Sequence, residues 1–364
     1  MTLAPGAELE LSIEALAAGG DGVAHCDGLA VFVARSAPGD RVRARVTEAR
    51  RRFARAEIVE LLAPGPARRE APCPYYQRCG GCAWLHVDDA EQSRARVAIA
   101  RAALERIGGR ADLPEIEVVT SPRALGYRAR ARVAYAKGRV GFRARGSHEI
   151  VDVERCAVLD AETQRELDRL RAARPSGAGE VELRGFGSAV DLAGKRLEAP
   201  PSAFFQANRA LWERWQDVVV DACGHGALAV ELYCGVGFYT ARLCASYSRV
   251  IAVERSEAGA ASAARNTRAE VTAQDADTWA PQHLAQLQPE LVLLNPPRVG
   301  CHINVSDALR ASGAERIVYV SCDPATCARD LARIGPQFRL LRLVSLDALP
   351  QTPHVELVAV LERD

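Results

Sequence analysis

The sequence is poor in lysine, in net charge and in long apolar runs. Its 47 basic residues include only two lysines, Lys137 and Lys195, and 46 acidic residues leave a formal net charge of +1. This balance excludes a globally basic protein, so any contact with nucleic acid has to come from local clusters of arginine. No apolar run approaches the roughly 20 residues of a membrane-spanning helix, and the N-terminal residues do not resemble a signal peptide. We therefore expect a cytoplasmic protein without membrane contact.

The length of 364 residues exceeds what one core usually supports, so two or three domains are expected. Residues 1–62 alternate apolar and polar positions in short runs broken by Gly, Pro and Asp, which predicts four or five strands closing a small β-barrel. A central domain, 63–200, begins with a Pro- and Ala-rich linker. Within it a helix is predicted at about 89–107, and antiparallel strands are predicted within 125–160.

Residues 201–364 have a different pattern, in which short apolar runs alternate with helix-compatible segments. The runs ALAVELYC, RVIAVE, LVLLNPP and RIVYVSC are of the kind found in buried parallel strands. Helices are predicted between them, at 237–247, 257–269 and 324–334. This alternation predicts an α/β domain with a doubly wound sheet.

The first predicted strand of this sheet runs into a G-x-G turn formed by Gly235 and Gly237. Glycines at the start of a helix let backbone amides approach a ligand closely. Glu254 ends the next strand and can accept hydrogen bonds from both hydroxyls of a ribose. Tyr239 and Thr240 occupy the region of the third glycine of the dinucleotide pattern. S-adenosylmethionine (SAM) is therefore favoured over NAD.

Candidate catalytic residues follow other strands of the same sheet. Cys322 ends a strand just before a helix predicted to start at Pro324, and a helix N-terminus lowers the pKa of a nearby thiol. It is a candidate nucleophile, with a small core residue as the alternative. Asn295 can present an amide to a substrate, and Arg298 can contact a phosphate or a carboxylate. Glu356 lies within an apolar strand, VELVAVL. It is either a functional carboxylate or a residue on the solvent face of an edge strand.

Four stretches of the sequence, ELYCGVGFYT, LLNPPRVG, YVSCDPATCARDL and FFQANRALWE, resemble the SAM-dependent RNA 5-methyluridine methyltransferases. Residues 1–62 resemble a TRAM domain, an OB-like RNA-binding barrel, and residues 125–158 resemble the central region of the same enzymes. The resemblance implies a class I SAM methyltransferase sheet preceded by this barrel and by a central iron–sulfur and RNA-binding region. It also implies methylation of a uridine in structured RNA, with 23S rRNA favoured over tRNA by the TRAM domain and the cysteines.

The resemblance further implies a role for individual residues. Cys322 stands where the family has the nucleophile that adds to C6 of uracil, and Glu356 stands where it has the base that removes the C5 proton. The predicted cofactor-binding set combines the matches to SAM ligands with the G-x-G glycines and the Asn-Pro-Pro amide: Gln206, Tyr233, Gly235, Gly237, Glu254, Asp275 and Asn295.

Two positions depart from the family pattern. Asn295 stands where the family usually has Asp, and Phe238 replaces a common Asn after G-x-G. An amide keeps hydrogen-bonding capacity but loses the charge. Asn-Pro-Pro also resembles the loop of exocyclic-amine methyltransferases, an alternative in which Cys322 would have no role. A non-catalytic RNA-binding protein that retains the fold is the second alternative.

Arginine is concentrated in two segments. Residues 41–55 hold seven arginines and one glutamate, and residues 123–145 hold eight basic side chains and no acidic one. Both segments could instead be solvent-exposed faces, but beside a TRAM-like domain we favour binding of RNA phosphates. We expect the protein to be a monomer. The predicted RNA contacts are Arg41, Arg43, Arg128, Arg130, Arg132, Arg143 and Arg298.

Three cysteines lie close together in CPYYQRCGGCAWLH, residues 73–86, with the spacing C-x5-C-x2-C. Zinc with His86 as the fourth ligand is one alternative, and a reducing compartment disfavours a disulfide. The family resemblance supplies a distant fourth cysteine and so implies a [4Fe–4S] cluster. Its predicted ligands are Cys73, Cys79, Cys82 and Cys156.

Overall fold

The N-terminal domain is a six-stranded sheet in the computed structural model, which describes residues 3–364. Its strands are β1 (Glu8–Ser12), β2 (Ala15–Leu16), β3 (Gly22–Cys26), β4 (Leu29–Ala34), β5 (Arg41–Ala49) and β6 (Phe53–Ala63). Buried Val42, Ala44 and Val46 alternate with outward-facing arginines along β5, as the period-two pattern predicts. Met1 and Thr2 lie outside the described residues.

The expected closed barrel is wrong in one respect. The strand order is β1-β5-β6-β4-β3-β2, and no ladder joins β1 to β2 within residues 3–364. The two-residue β2 pairs with β3 alone, and it is too short to form a second ladder. The domain is therefore an open sheet of six strands, in which β1 packs against β3.

The central region contains the predicted helix and antiparallel sheet, together with a second helix that was not predicted. Its elements are α1 (Asp89–Arg106), β7 (Ile116–Val119), β8 (Arg130–Ala136), β9 (Arg139–Arg143), β10 (Ile150–Asp152), α2 (Ala161–Ala172), β11 (Ala178–Arg184), β12 (Ala189–Leu192) and β13 (Lys195–Glu198). The sheet order is β10-β9-β8-β11. Lys137 and Gly138 form a two-residue hairpin turn, and both have positive φ, 51° and 75°.

An eight-stranded sheet forms the C-terminal part of the chain. After a 3₁₀ turn (Arg209–Leu211), its elements are α3 (Trp212–Cys223), β14 (Gly226–Leu232), α4 (Thr240–Ser246), β15 (Tyr247–Glu254), α5 (Glu257–Asn266), β16 (Glu270–Ala273), α6 (Ala276–Leu287), β17 (Leu291–Leu294), α7 (Ile303–Ala311), β18 (Arg316–Ser321), α8 (Pro324–Ile334), β19 (Phe338–Leu346) and β20 (Glu356–Arg363). The order β16-β15-β14-β17-β18-β20-β19-β7 confirms the doubly wound sheet. The side chains of β17 are fully buried because helices cover both faces.

Part of the central region is built into this sheet. Strand β7 pairs in parallel with β19, and α1 packs against α8. Leu104 of α1 shares one apolar core with Leu331 of α8. The segment that carries the cysteines is consequently anchored to the C-terminal sheet.

The strand directions bring distant segments to one edge of the sheet. Strands β14, β15, β17 and β18 are parallel, so their carboxyl ends lie together. Strand β20 is antiparallel to β18, which places the first residue of β20 at the same edge. No helix within residues 3–364 is long and apolar enough to cross a membrane.

Candidate active site

The turn after β14 has the backbone conformation that the G-x-G pattern predicts. Tyr233, Gly235 and Gly237 have φ of 63°, 59° and 86°. A Cβ on Gly235 would meet no atom within 4 Å, whereas a Cβ on Gly237 would lie 2.9 Å from Cγ2 of Thr267. The first glycine therefore borders open space, and the second allows close packing of the turn against α5.

Glu254 is bonded to the glycine turn from the end of β15. Its Oε2 accepts from the N–H of Gly235 at 2.9 Å, and its Oε1 accepts from the N–H of Ser256 at 2.8 Å. Each carboxylate oxygen retains a lone pair for a further donor. Asp275 precedes α6, and its Oδ1 lies 3.5 Å from Nε of Arg255. Both predicted acidic residues thus lie at the carboxyl edge of the sheet.

Phe238 takes part in an aromatic cluster that joins the glycine turn to the segment containing Gln206. Its ring meets Phe205 edge-on with centroids 5.5 Å apart, and Phe205 meets Trp212 at 4.9 Å. The indole N–H of Trp212 donates to the carbonyl of Gln206 at 2.9 Å. Where the family commonly has Asn, this protein therefore has an aromatic ring, Phe238. The ring packs on the cluster that holds Gln206 beside the glycine turn.

Cys322 and Glu356 lie side by side although they are far apart in sequence. Ser321, the last residue of β18, pairs with Leu357 of β20, so the next residues in the antiparallel register are Cys322 and Glu356. Strand β20 lies between β18 and β19, and Glu356 is only 9% exposed. The alternative that placed Glu356 on the solvent face of an edge strand is wrong.

The prediction that the helix N-terminus lowers the pKa of Cys322 is also wrong. Burial, together with the neighbouring carboxyl of Glu356, raises the pKa of this thiol to about 11. The N-terminus of α8 does not reverse this, because Asp323 caps it by accepting from the N–H of Thr326 at 2.9 Å and adds another negative charge. The positive charge of Arg298 acts in the opposite direction.

Burial raises the pKa of Glu356 to about 8, although the positive charge of Arg298 opposes this shift. A carboxyl with a pKa near the working pH is a stronger base than an ordinary glutamate while remaining partly ionised. The carboxyl of Glu356 thus raises the pKa of the Cys322 thiol, and the positive charge of Arg298 lowers the pKa of both groups.

Arg298 contacts His354, to which the sequence analysis assigned no role. The Nη2 of Arg298 lies 3.1 Å from Nδ1 and 3.2 Å from Nε2 of His354. Burial, together with the charge of Arg298, lowers the pKa of His354 to about 4, so the ring is neutral at pH 7 and can accept from the guanidinium.

The loop that carries Asn295 and Arg298 is fixed to α8 by a buried carboxylate. The Oδ2 of Asp330 accepts from the N–H of Cys301 at 2.7 Å and from the hydroxyl of Tyr319 at 2.7 Å. A Cβ on Gly300 would lie 2.2 Å from the same oxygen, so only glycine fits there. The side chain of Asn295 makes no hydrogen bond with another described residue and lies beside the ends of β14 and β18.

The cysteine loop, residues 73–86, brings its three cysteines to the fourth. Cys73, Cys79, Cys82 and Cys156 line one cavity of about 450 Å³, part of it open to solvent. Its other walls are mostly apolar, with Leu85, Phe142 and Val158 among them. The loop is tied to the end of β9, because the N–H of Gly80 donates to the carbonyl of Arg143 at 3.0 Å. Burial raises the pKa of Cys82 to about 12.

The zinc alternative is not supported. His86 does not line the cysteine cavity; its Nδ1 lies 2.5 Å from the hydroxyl of Tyr76 instead. Within residues 3–364, no three His, Cys, Asp or Glu side chains converge closely enough to hold a single metal ion.

The predicted RNA-binding arginines differ in their partners. Arg43, Arg130 and Arg143 are paired with glutamates, at 2.6 Å to Glu60, 2.6 Å to Glu182 and 2.9 Å to Glu180. Arg132 lies 4.0 Å from a carboxylate oxygen of Glu180. Among the described residues, no carboxylate lies within ion-pair distance of Arg41, Arg128 or Arg298.

Phe204 is an exposed aromatic side chain that the sequence analysis did not single out. It is 60% exposed beside the buried Gln206, and the guanidinium of Arg130 lies 4.7 Å from its ring centroid. An exposed ring held in this way can stack on an RNA base. The sequence pattern that could have indicated this residue is the pair of phenylalanines in FFQ, since two adjacent side chains of a strand-like segment point in opposite directions.

Two family models match the ends of the chain. One described as TRAM domain matches residues 3–59, and one described as tRNA (Uracil-5-)-methyltransferase matches residues 280–364. A crystal structure of Pyrococcus abyssi tRNA (uracil-54, C5)-methyltransferase with S-adenosyl-L-homocysteine superposes with a TM-score of 0.74. It is 23% identical and covers 97% of this chain and 100% of that chain. These matches confirm the predicted TRAM domain and the α/β methyltransferase fold.

Full-length relatives are similar as well. An uncharacterized RNA methyltransferase of Bdellovibrio bacteriovorus is 32% identical over 99% of this chain and 96% of its own length. The 23S rRNA (uracil(1939)-C(5))-methyltransferase RlmD of Pseudomonas putida is 33% identical over 98% of this chain and 94% of its own length. With the glycine turn, Cys322 and Glu356 at one sheet edge, these similarities show that the chain belongs to the family of SAM-dependent RNA uracil-C5 methyltransferases.

Proposed function

We propose that this protein methylates C5 of a uridine in structured RNA through a covalent adduct with Cys322. The observation that carries the proposal is the register of β18 and β20, which places Cys322 beside the buried Glu356 at the sheet edge that also holds the G-x-G turn. A thiol nucleophile beside a carboxyl base is the combination required for substitution at C5 of a pyrimidine.

Each of the two residues acts on one carbon of the uracil ring. The Sγ of Cys322 bonds to C6, which makes C5 electron-rich, and SAM supplies the methyl group that C5 accepts. Glu356, as the carboxylate, then takes the proton from C5, and the C5–C6 double bond re-forms as Cys322 leaves as the thiolate. Arg298 favours the thiolate at the start and the end of the cycle because its positive charge lowers the pKa of Cys322.

The residues present fit SAM. Gly235 borders open space, which leaves room for a ligand against the backbone of the turn. Glu254 retains lone pairs that would accept from the ribose hydroxyls of SAM, and Asp275 would contact its adenine end. The side-chain amides of Gln206 and Asn295 make no hydrogen bond with another described residue, so both are free to contact the cofactor or the base.

The cysteine cavity fits a [4Fe–4S] cluster. Four thiols surround one space with few competing polar groups, and each thiolate of such a cluster binds a different iron. When bound, the cluster would cross-link the cysteine loop to the segment after β10. Anaerobic purification should give brown protein with about four irons per chain; stoichiometric zinc without iron would contradict the assignment.

The proposed target is 23S rRNA rather than tRNA. The full-length similarity to the Pseudomonas putida enzyme that acts on 23S rRNA supports this choice. Methylation mapping of 23S rRNA and tRNA from a deletion strain tests it: loss of one 5-methyluridine from 23S rRNA is expected. Loss from tRNA alone would contradict the target, but not the chemistry.

Trapping with 5-fluorouridine RNA tests the chemistry. Fluorine at C5 cannot be removed as a proton, so wild-type protein is expected to form an adduct that survives a denaturing gel. Cys322→Ala should abolish the adduct, whereas the control Cys327→Ala, at a fully buried position in α8, should retain it. An amine methyltransferase would keep its activity in Cys322→Ala, and a non-catalytic protein would show no SAM binding in isothermal titration.

A further inference from the structure

A second cavity lies between the TRAM domain, the cysteine loop and the segment that precedes Glu356. It measures about 680 Å³, counting the space open to solvent, and Arg35, Arg145 and His354 are among its lining residues. The three walls are closely packed: a Cβ on Gly20 would lie 2.8 Å from Cβ of Ala83 and 3.3 Å from Cγ of Pro353. The cavity is therefore built from segments that are fixed relative to one another.

Arg35 borders this cavity as a partly buried guanidinium without a carboxylate partner among residues 3–364. Its Nη1 donates to Oε1 of Gln77 at 2.9 Å, and its guanidinium carbon lies 4.7 Å from the ring centroid of Tyr76. One edge and one face of the planar group are thereby fixed, and the remaining N–H groups are left for a ligand. A fixed planar fork of donors suits a phosphate better than a flexible ammonium does.

Two arginines, Arg35 and Arg145, line the cavity. Asp21 is shared by two arginines, since it forms ion pairs with both Arg55 and Arg145. Arg145 is near enough for its positive charge to act on Arg35. Neither Asp nor Glu is found among the described residues that line the cavity. The lining therefore presents the guanidinium groups of Arg35 and Arg145 beside Cys79 and Cys82 of the cysteine loop, in a partly enclosed space.

The backbone at Arg35 has an uncommon conformation. Its φ is 56°, in the left-handed region that residues with a side chain rarely adopt. Strained residues of this kind are concentrated at ligand clamps, where the surrounding structure holds them in place. The side chain of this residue places its guanidinium over the ring of Tyr76 at the border of the cavity.

We propose that this cavity binds a phosphodiester of the RNA strand next to the target uridine, with Arg35 as the main contact and Arg145 as the second. The proposal rests on the proposed function, since it names the substrate strand that approaches Cys322. His354 connects the two sites: it lines the cavity, contacts Arg298 and lies two residues before Glu356. A phosphate in the cavity would therefore lie on the approach to the catalytic pair.

The salt dependence of RNA binding tests the proposal. The probe is a fluorescein-labelled oligouridine of about 12 nucleotides, titrated with full-length, cluster-loaded protein at about 50 to 200 mM KCl. Arg35→Gln is expected to weaken binding about 10-fold at the lowest salt and to reduce the slope of log K against log salt by about 0.7. The control, Arg174→Gln, removes the same charge from an exposed left-handed residue, φ 44°, at the end of α2. Arg174→Gln should bind the RNA with the affinity and salt slope of the wild type. An equal loss of affinity in Arg35→Gln and Arg174→Gln would overturn the proposal.

A second variant, Arg145→Gln, tests the same site in case Arg35→Gln does not fold. Arg145→Gln leaves Tyr76 and Gln77 undisturbed, and it should reduce the slope in the same direction; an unchanged slope in both variants overturns the phosphate site. Visible absorbance and thermal unfolding show whether each variant keeps its cluster and its fold. A methyl-transfer assay of the wild type separates the phosphate site from the proposed function. If the wild type is active but the salt slope of both variants equals that of the wild type, only the phosphate site is refuted. If the slopes are reduced but the wild type transfers no methyl group, only the proposed function is refuted.

Discussion

Replacing Glu356 with glutamine is expected to change how the stability of the protein depends on pH. Burial raises the pKa of this carboxyl from its ordinary value of 4.5 to about 8. Between these values the folded protein retains a proton that the unfolded chain loses. The stabilisation is complete below about pH 4.5 and is lost as the pH rises toward 8, at about 1.4 kcal/mol per pH unit. Glutamine stays neutral and does not have this dependence.

The variant should therefore become more stable than the wild type as the pH rises. From about pH 5 to about pH 8 the difference in free energy of unfolding should grow by about 4 kcal/mol, or about 3 to 5 °C in Tm per pH unit for a domain of this size. Differential scanning calorimetry of both full-length proteins measures it. Glu115→Gln, at an exposed position, is the control and should show a constant offset. A constant offset for Glu356→Gln as well would refute the assigned ionisation and, with it, the argument for a tuned base.

Four further outcomes are expected. Glu356→Gln should still form the covalent adduct with ordinary RNA but release it slowly on denaturing gels; normal turnover would show that another group is the base. Gly237→Ala should weaken SAM binding at least about 10-fold in isothermal titration, because its Cβ would lie 2.9 Å from Thr267; unchanged affinity would separate the turn from the cofactor. Asp330→Asn should cost about 3 kcal/mol in urea unfolding, since it removes a fully buried charge that accepts from Cys301, Tyr319 and Arg329; a loss within experimental error would mean that the loop is held otherwise. Cys156→Ser should abolish the visible absorbance of anaerobic protein while SAM still binds; retained absorbance would exclude Cys156 as a ligand.

Local patterns were sufficient for much of the fold. The helix predicted at about 89–107 spans Asp89–Arg106, because Asp88 caps it and the Gly-Gly pair follows its end. The apolar runs before Asn295 and Cys322 are buried strands of one sheet, since side chains covered on both faces leave a continuous apolar signature. The G-x-G turn has its left-handed glycines for the same local reason.

Contacts between distant segments could not be predicted in the same way. Capping of α8 and the burial of its surroundings determine the ionisation of Cys322, so a helix start seen in sequence led to the wrong direction for its pKa. Likewise, VELVAVL does not reveal that β20 is inserted between β18 and β19 and thereby brings Glu356 to Cys322. The pairing of β7 with β19 crosses the predicted domain boundary and leaves no local trace.

The sequence by itself determined the element types, the glycine turn, the candidate nucleophile and the three close cysteines, and the family resemblance added the candidate base and the fourth cysteine. Periodicity, capping and backbone freedom act over a few residues, so each leaves a readable pattern. The tertiary structure decided which arginines lack a carboxylate partner, which carboxyl is buried beside the thiol, and where Arg35 lies relative to His354. Burial and charge depend on the three-dimensional neighbours of a group, and those neighbours come from parts of the chain that no local pattern connects.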